Sequence, residues 1–188
     1  LMQNGFYDEA KSYILFRFQR TERRNAINSI VADAEDEDLK PILKKISSDY
    51  TSVEYSLLLL SDKFKSFCKD DMKQADRLSA LVKAAVEMTT QEAPNWEFIA
   101  ARLLSYKLNR SIAAFEESVS VHSFYDKLRY LTDERLYGEY ILASYSPEEI
   151  AQAATFIKEE RNDLLNYSGL DLLMKRYLIR TYNNKPIE

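Results

Sequence analysis

The sequence predicts an all-α protein, a domain of roughly seven to nine helices. Apolar residues recur every three or four positions along most of the chain, the spacing that gathers them on one helical face. Glycine and proline are scarce, 3 and 4 in 188 residues, whereas hairpins and sheet turns draw on both. The length suits one good-sized core, or a domain with an appended piece. A content of 46% hydrophobic and 30% charged residues is a globular balance.

Tyr7 to about Ala32 reads as a long helix, with Gly5 ahead of it and Tyr7, Ala10, Ile14 and Phe18 as its apolar stripe. Arg17, Arg20, Arg23 and Arg24 make its middle basic, most simply as a solvated face. Ala34 to Asp38 is an acidic connector or a helix start. Pro41 opens a short helix with Ile42, Leu43 and Ile46 as its apolar positions, and Asp49 to Ser52 is turn-like. In Val53 to Cys68 the expected buried set is Tyr55, Leu58, Leu59, Phe64 and Phe67. Cys68 closes this stretch beside Lys65 and Lys69, which could lower its pKa. With no histidine or second cysteine adjacent, a structural or idle thiol is the simpler reading. Lys69 to Asp71 break the pattern before a helix carrying Leu78, Leu81, Val82 and Ala85, which ends near Thr90.

Thr89 to Leu108, TTQEAPNWEFIAARLLSYKL, organises the chain. Pro94 fits the first helical position. Trp96, Ile99, Ala100 and Leu103 then share a core-facing stripe, and Ala100 and Ala101 are small enough for close helix approach. The helix is expected to fade near Ser111. Ser118 to Ser123 is polar, and its His122 reads as a surface or capping residue. Tyr125, Leu128 and Leu131 mark another helix, and Gly138 to Tyr145 a short one. Ser146, Pro147 and Glu149 form a capping box. They open a helix whose stripe is Ile150, Ala153, Ile157, Arg161 and Leu164. Arg161 on that stripe is expected in a buried or half-buried ion pair. Asn183, Asn184 and Pro186 give the tail a turn signature.

Composition excludes several classes of function. The net charge of −4 offers no general nucleic-acid surface. A single thiol, Cys68, makes no internal disulfide, and with one histidine it makes no His/Cys zinc site. No apolar run approaches the roughly 18 residues of a membrane span, and no signal peptide opens the chain. A reducing cytoplasm is compatible. The opening LMQNGFYD reads like a cut into a longer protein. There is no Gly-rich phosphate loop, HExxH, CxxC or nucleophile elbow. Glu87, Glu92, Glu148, Glu149, Glu159 and Glu160 fall on solvated faces, and Val119 rather than Glu stands three residues before His122. A di-iron carboxylate bundle is therefore not expected. No catalytic, cofactor-binding or metal residue is assigned.

Two stretches, EAPNWEFIAARLL and EERNDLLNYSGLDLLMKRYLI, resemble the N-terminal region of the large (alpha) subunit of class I ribonucleoside-diphosphate reductase. In the second, Arg161, Asp163, Tyr167, Gly169, Arg176, Tyr177 and Leu178 carry the likeness, while Asn162 departs from the charged cluster. AKSYILFRFQRTERR more loosely resembles the closing helix of an ATP-cone, whose nucleotide is held mainly by elements nearer its beginning. The resemblance covers Ala75 to Glu188 well, Tyr7 to Arg24 loosely and Asp33 to Lys73 hardly at all. It implies three parts: a terminal cone helix at 1–33, a connector with helices at 34–74, and a helical domain at 75–188. It implies a parent that makes deoxyribonucleotides for DNA synthesis by radical chemistry. That parent would use ATP, dATP and dNTP effectors, a radical-generating small (beta) subunit and thiol reductants. Its catalytic barrel, a further part of the same chain, would be the partner of this segment, and the parent would be an oligomer. Binding of DNA or membrane is not implied. One cysteine does not supply the thiyl and redox-pair sulfurs, so the segment is expected to be structural and regulatory. The competing readings are a non-enzymatic helical interaction module and a standalone allosteric nucleotide-binding module.

Overall fold

A computed structural model describes residues 2–187, and for residues 2–12, 14–18 and 159 the backbone alone. The chain forms two compact units, Leu1–Leu103 and Leu104–Glu188. The first holds α1 (Met2–Ala34), α2 (Lys40–Asp49), α3 (Leu57–Lys65), α4 (Gln74–Glu87) and the start of α5 (Trp96–Ser118). The second holds the rest of α5, then α6 (Phe124–Asp133), α7 (Tyr140–Ser144), α8 (Pro147–Ala154) and α9 (Tyr167–Arg176). Short 3-10 turns stand at Glu37–Leu39, Val53–Tyr55 and Glu159–Leu164. Among the described residues there is no strand, only an isolated bridge between Arg180 and Pro186. The all-α class follows.

α1 is 33 residues long, about 50 Å of helix. It starts early enough to enclose Gly5, which was expected ahead of it. The side chains of the expected stripe, Tyr7, Ala10, Ile14 and Phe18, lie outside the described residues. Further along, Ala26, Ile27, Ile30, Val31 and Ala34 are buried. Against them lie Leu39, Leu43 and Ile46, each with no exposed surface.

α3 corrects the reading of the Leu57–Leu60 run. Leu58 and Leu59 are 43% and 48% exposed, whereas Leu57, Leu60, Ser61 and Phe64 are buried and Phe67 is half-buried. A solid apolar run carries no phase of its own. Ser56 sets it here by capping, its hydroxyl accepting from the Leu58 amide at 3.3 Å. Leu57, Leu60 and Phe64 then fall at helical spacing on one face and Leu58 and Leu59 turn outward.

α5 also departs from expectation. It begins at Trp96, after a turn in which Pro94 and Asn95 carbonyls accept from Glu97 and Ile99 at 3.1 Å. It continues past Ser111 to Ser118, where the Phe115 ring meets Tyr130 edge-on at 5.6 Å. α8 is shorter than expected. Thr155, Phe156 and Ile157 donate to carbonyls three residues back, and Lys158 is extended, which ends the helix before Arg161. Arg161 is exposed, Ile157 is 59% and Leu164 76% exposed, so the expected buried ion pair is absent from this stripe. The capping box at Ser146 and Glu149 is formed.

The low glycine count has a counterpart in how helices stop. Glu35, Ser120 and Arg135 adopt positive φ just past α1, α5 and α6. At each, the next amide reaches back five residues: Asp36 to Val31, Val121 to Glu116 and Leu136 to Leu131. These are Schellman stops in which an ordinary residue occupies the place usually taken by glycine.

Candidate functional site

In the first unit the Trp96 helix is clamped to the segment 49–55. Trp96 is 1% exposed, and its indole N–H donates to the Glu54 carbonyl at 2.9 Å. Its ring lies 6.1 Å from that of Tyr55, which meets Tyr50 at 5.8 Å. Six residues on, Arg102 donates to the Asp49 carboxylate at 2.7 Å and lies over the Tyr50 ring. The AARLL arginine and the tryptophan thus grip one short segment from both ends, and Ala100 and Ala101 are buried between them. Tyr50 and Asp49 carried no sequence signal for this role.

Arg77 is a second anchor that sequence patterning missed. Its guanidinium donates to the carbonyls of Asp33, Met72 and Asp70 and pairs with Glu35 at 3.2 Å. It places positive charge on the C-terminal end of α1, where the helix dipole is negative. It also stands beside Cys68. Burial pushes the thiol up and Asp33 adds to the rise, while the Arg77 charge and its hydrogen bond pull the other way. The net direction is upward, and the cation beside the sulfur is Arg77 rather than the flanking lysines. The thiol is therefore not activated.

Among the described residues the acids and the histidine hold no constellation. Glu87 pairs with Lys63 at 2.9 Å and with Lys83, and the Lys63 hydrogen bond lowers its pKa. His122 is exposed just before Ser123, the N-cap of α6. Ser123 lowers the Asp126 pKa through a 2.8 Å hydrogen bond. Among the described residues no three His, Cys, Asp or Glu side chains are placed to hold a metal ion. Among them no helix is long and apolar enough to cross a membrane.

Two surfaces remain. Between α1 and α2 lies a depression of about 450 Å³ lined by Arg20, Arg23, Arg24, Ile27, Asn28, Lys40 and Lys44. The i, i+4 pairs Arg20/Arg24 and Lys40/Lys44 were legible as spacing, but their convergence was not. The second unit exposes Tyr140, Tyr145, Phe156, Ile157, Leu164, Leu172, Tyr177 and Tyr182, from 46% to 78%. Single exposed apolar residues are ordinary; eight of them within one unit make it a candidate contact surface.

No protein-family model matches the chain. It is 43% identical over 181 residues to the "Ribonucleoside-diphosphate reductase subunit alpha" of Treponema pallidum (strain Nichols), covering 96% of this chain and 21% of that protein. The subunit alpha of Enterobacteria phage T4 is 32% identical over 76% of this chain and 19% of its own length. The "Ribonucleoside-diphosphate reductase 1 subunit alpha" of Escherichia coli (strain K12) is 28% identical over 59% of this chain and 14% of its own length. The chain thus spans about a fifth or less of the curated relatives it matches.

Proposed function

We propose, from the premise that the chain belongs to the ribonucleoside-diphosphate reductase alpha-subunit family, that the whole protein reduces ribonucleotides to deoxyribonucleotides for DNA synthesis. The supporting observation is the 43% identity maintained over 96% of the chain. These residues act as a helical N-terminal scaffold rather than as the reaction centre. Radical reduction with a thiyl and a redox pair takes three sulfurs, and Cys68 is one, with a raised pKa. The remaining sulfurs belong to the catalytic barrel elsewhere in the whole protein. The apolar side chains between Tyr140 and Tyr182 are the natural seat for that barrel, because covering them removes a large apolar area from water.

The division into a terminal cone helix at 1–33, a connector at 34–74 and a helical domain at 75–188 is part of this proposal. So are effector control by ATP, dATP and dNTPs, a radical-generating small subunit, thiol reductants, an oligomeric parent and a cytoplasmic setting. The test is turnover. The full-length protein, supplied with a radical-generating small subunit and dithiothreitol, should convert ribonucleoside diphosphates to their deoxy forms. The 188-residue chain under the same conditions should convert none. Turnover by the segment alone, or none by the full-length protein with an active small subunit, overturns the reading.

A further inference from the structure

We propose that the part of the whole protein seated on α7, α8 and the turn after them is a basic segment, one that carries lysine or arginine among its apolar side chains. This rests on the reading that the catalytic barrel covers the exposed apolar side chains of the second unit. Those side chains fall into two stretches of opposite charge. Between Glu139 and Glu160, Tyr140, Tyr145, Phe156 and Ile157 are 56% to 75% exposed. They stand among five glutamates and a single cation, Lys158. From Leu164 to Ile187, Leu164, Leu172, Tyr177 and Tyr182 are exposed among four cations and one acid, Asp171.

The acids of the first stretch differ in what holds them. Glu149 is bound into the capping box, accepting from the Ser146 amide at 2.8 Å, and Glu148 accepts from its own amide and from Ser146. Glu139, beside Tyr140, and Glu160, three residues after Ile157, are exposed and make no ion pair among the described residues. Covering Tyr140, Phe156 and Ile157 with a neutral or acidic surface strips water from these two carboxylates and puts nothing in its place, which is costly. A cation beside each replaces the lost water and orients docking as well. In the second stretch Lys175 pairs with Asp171 at 2.7 Å, and Arg180 donates to the carbonyls of Met174 and Asn184. Arg176 and Lys185 are left exposed. The two stretches thus select covers of opposite sign, and the basic cover belongs on α7 and α8.

Trypsin reads the cover directly, because Lys158 and Arg161 are exposed at the end of the first stretch. The ratio of cleavage rates there, isolated chain over full-length protein, is the protection, and taking a ratio cancels any effect of Glu160 on trypsin itself. At low salt wild type should be protected about tenfold or more. E139Q/E160Q should be protected about three- to tenfold less than wild type, while the two isolated chains melt alike. In about 1 M sodium chloride, where the screening length is about 3 Å, wild type should fall to the level of the variant. R176Q/K185Q removes two charges of the other sign and should keep the wild-type protection. Unchanged protection in E139Q/E160Q, or an equal loss in R176Q/K185Q, overturns the proposal and leaves the barrel seat standing. No protection in wild type removes the seat itself and the proposal with it. A salt-sensitive dimer of the isolated chain, seen by sedimentation and lost in E139Q/E160Q, assigns the basic cover to a second copy and overturns the proposal as well.

Discussion

The two units are built from similar helices but finish them differently. In the first, Ile30, Leu39, Leu43, Ile46, Leu60, Phe64, Ala84, Ala85, Ile99 and Ala100 have no exposed surface at all. Polar anchors then tie the ends, Arg77 on the C-terminus of α1 and Arg102 on the C-terminus of α2. In the second, Leu131 alone among the described residues is fully enclosed and Ile187 nearly so, while large apolar side chains from Tyr140 to Tyr182 face solvent. The tail contributes through its turn: Thr181 and Lys185 pair, Asn184 takes positive φ, and Ile187 donates to Ile179 as its side chain is buried. Among the described residues the first unit exposes Tyr13, Val53, Leu58 and Leu59, and the second exposes twice as many large apolar side chains, a reserve that has value only if something else covers it.

The sharpest way to break this comparison is at the closed core. Trp96→Ala removes the largest fully buried side chain, its hydrogen bond to Glu54 and its contact with Tyr55. The expected loss is about 3–5 kcal/mol, read by urea denaturation. A midpoint within error of wild type would mean that the clamp on residues 49–55 is not part of a cooperative core.

Arg77→Met probes the polar half of the same unit. The methionine fills the stem's space but leaves the carbonyls of Asp33 and Met72 without their charged donor, an expected cost of about 2–3 kcal/mol. It also tests the thiol. Folding raises the Cys68 pKa, so the folded state holds its proton more tightly than the unfolded chain. That contribution to stability is complete below the unfolded value and is lost as pH rises through the folded one. Iodoacetamide labelling of Cys68 should therefore have a midpoint above that of the unfolded chain. In R77M it should move higher still, because the opposing charge is gone. A midpoint that falls in R77M would mean that Arg77 does not oppose the rise.

How much of this was readable beforehand depended on whether the signal was local. The all-α class, the box at Ser146 and Glu149, and the buried Trp96, Ile99 and Leu103 each rest on spacing within a few residues, and the sequence states that directly. The phase of Leu57–Leu60 rested partly on a local signal that apolar patterning overlooks, the Ser56 cap, and partly on the face α1 offers it, which is not local. Arg77 and Arg102 look like ordinary surface charges until their partners, 44 and 53 residues away, are placed. The continuation of α8 through Arg161 failed because periodicity alone does not guarantee a surface to pack on. Ile157 and Leu164 keep the period and remain in solvent. The two candidate surfaces are tertiary in the same sense, for the α1 and α2 cations are legible as pairs but not as neighbours.

The smallest expected effect is the most informative about the open unit. Phe156 is 75% and Leu164 76% exposed, so in the isolated chain neither has much apolar contact to lose. F156S/L164S should leave its stability within about 0.5 kcal/mol of wild type. In the full-length protein the same pair should behave as core positions if the barrel covers them, with a loss of about 2 kcal/mol or more. The difference between the two measurements, made by thermal melting of both forms, isolates the covering surface from the folding of the unit itself. A large loss in the isolated chain would place these side chains inside the second unit's own core and erase the contrast between the units. Equal, negligible losses in both forms would leave this face uncovered in the whole protein and move the barrel contact elsewhere.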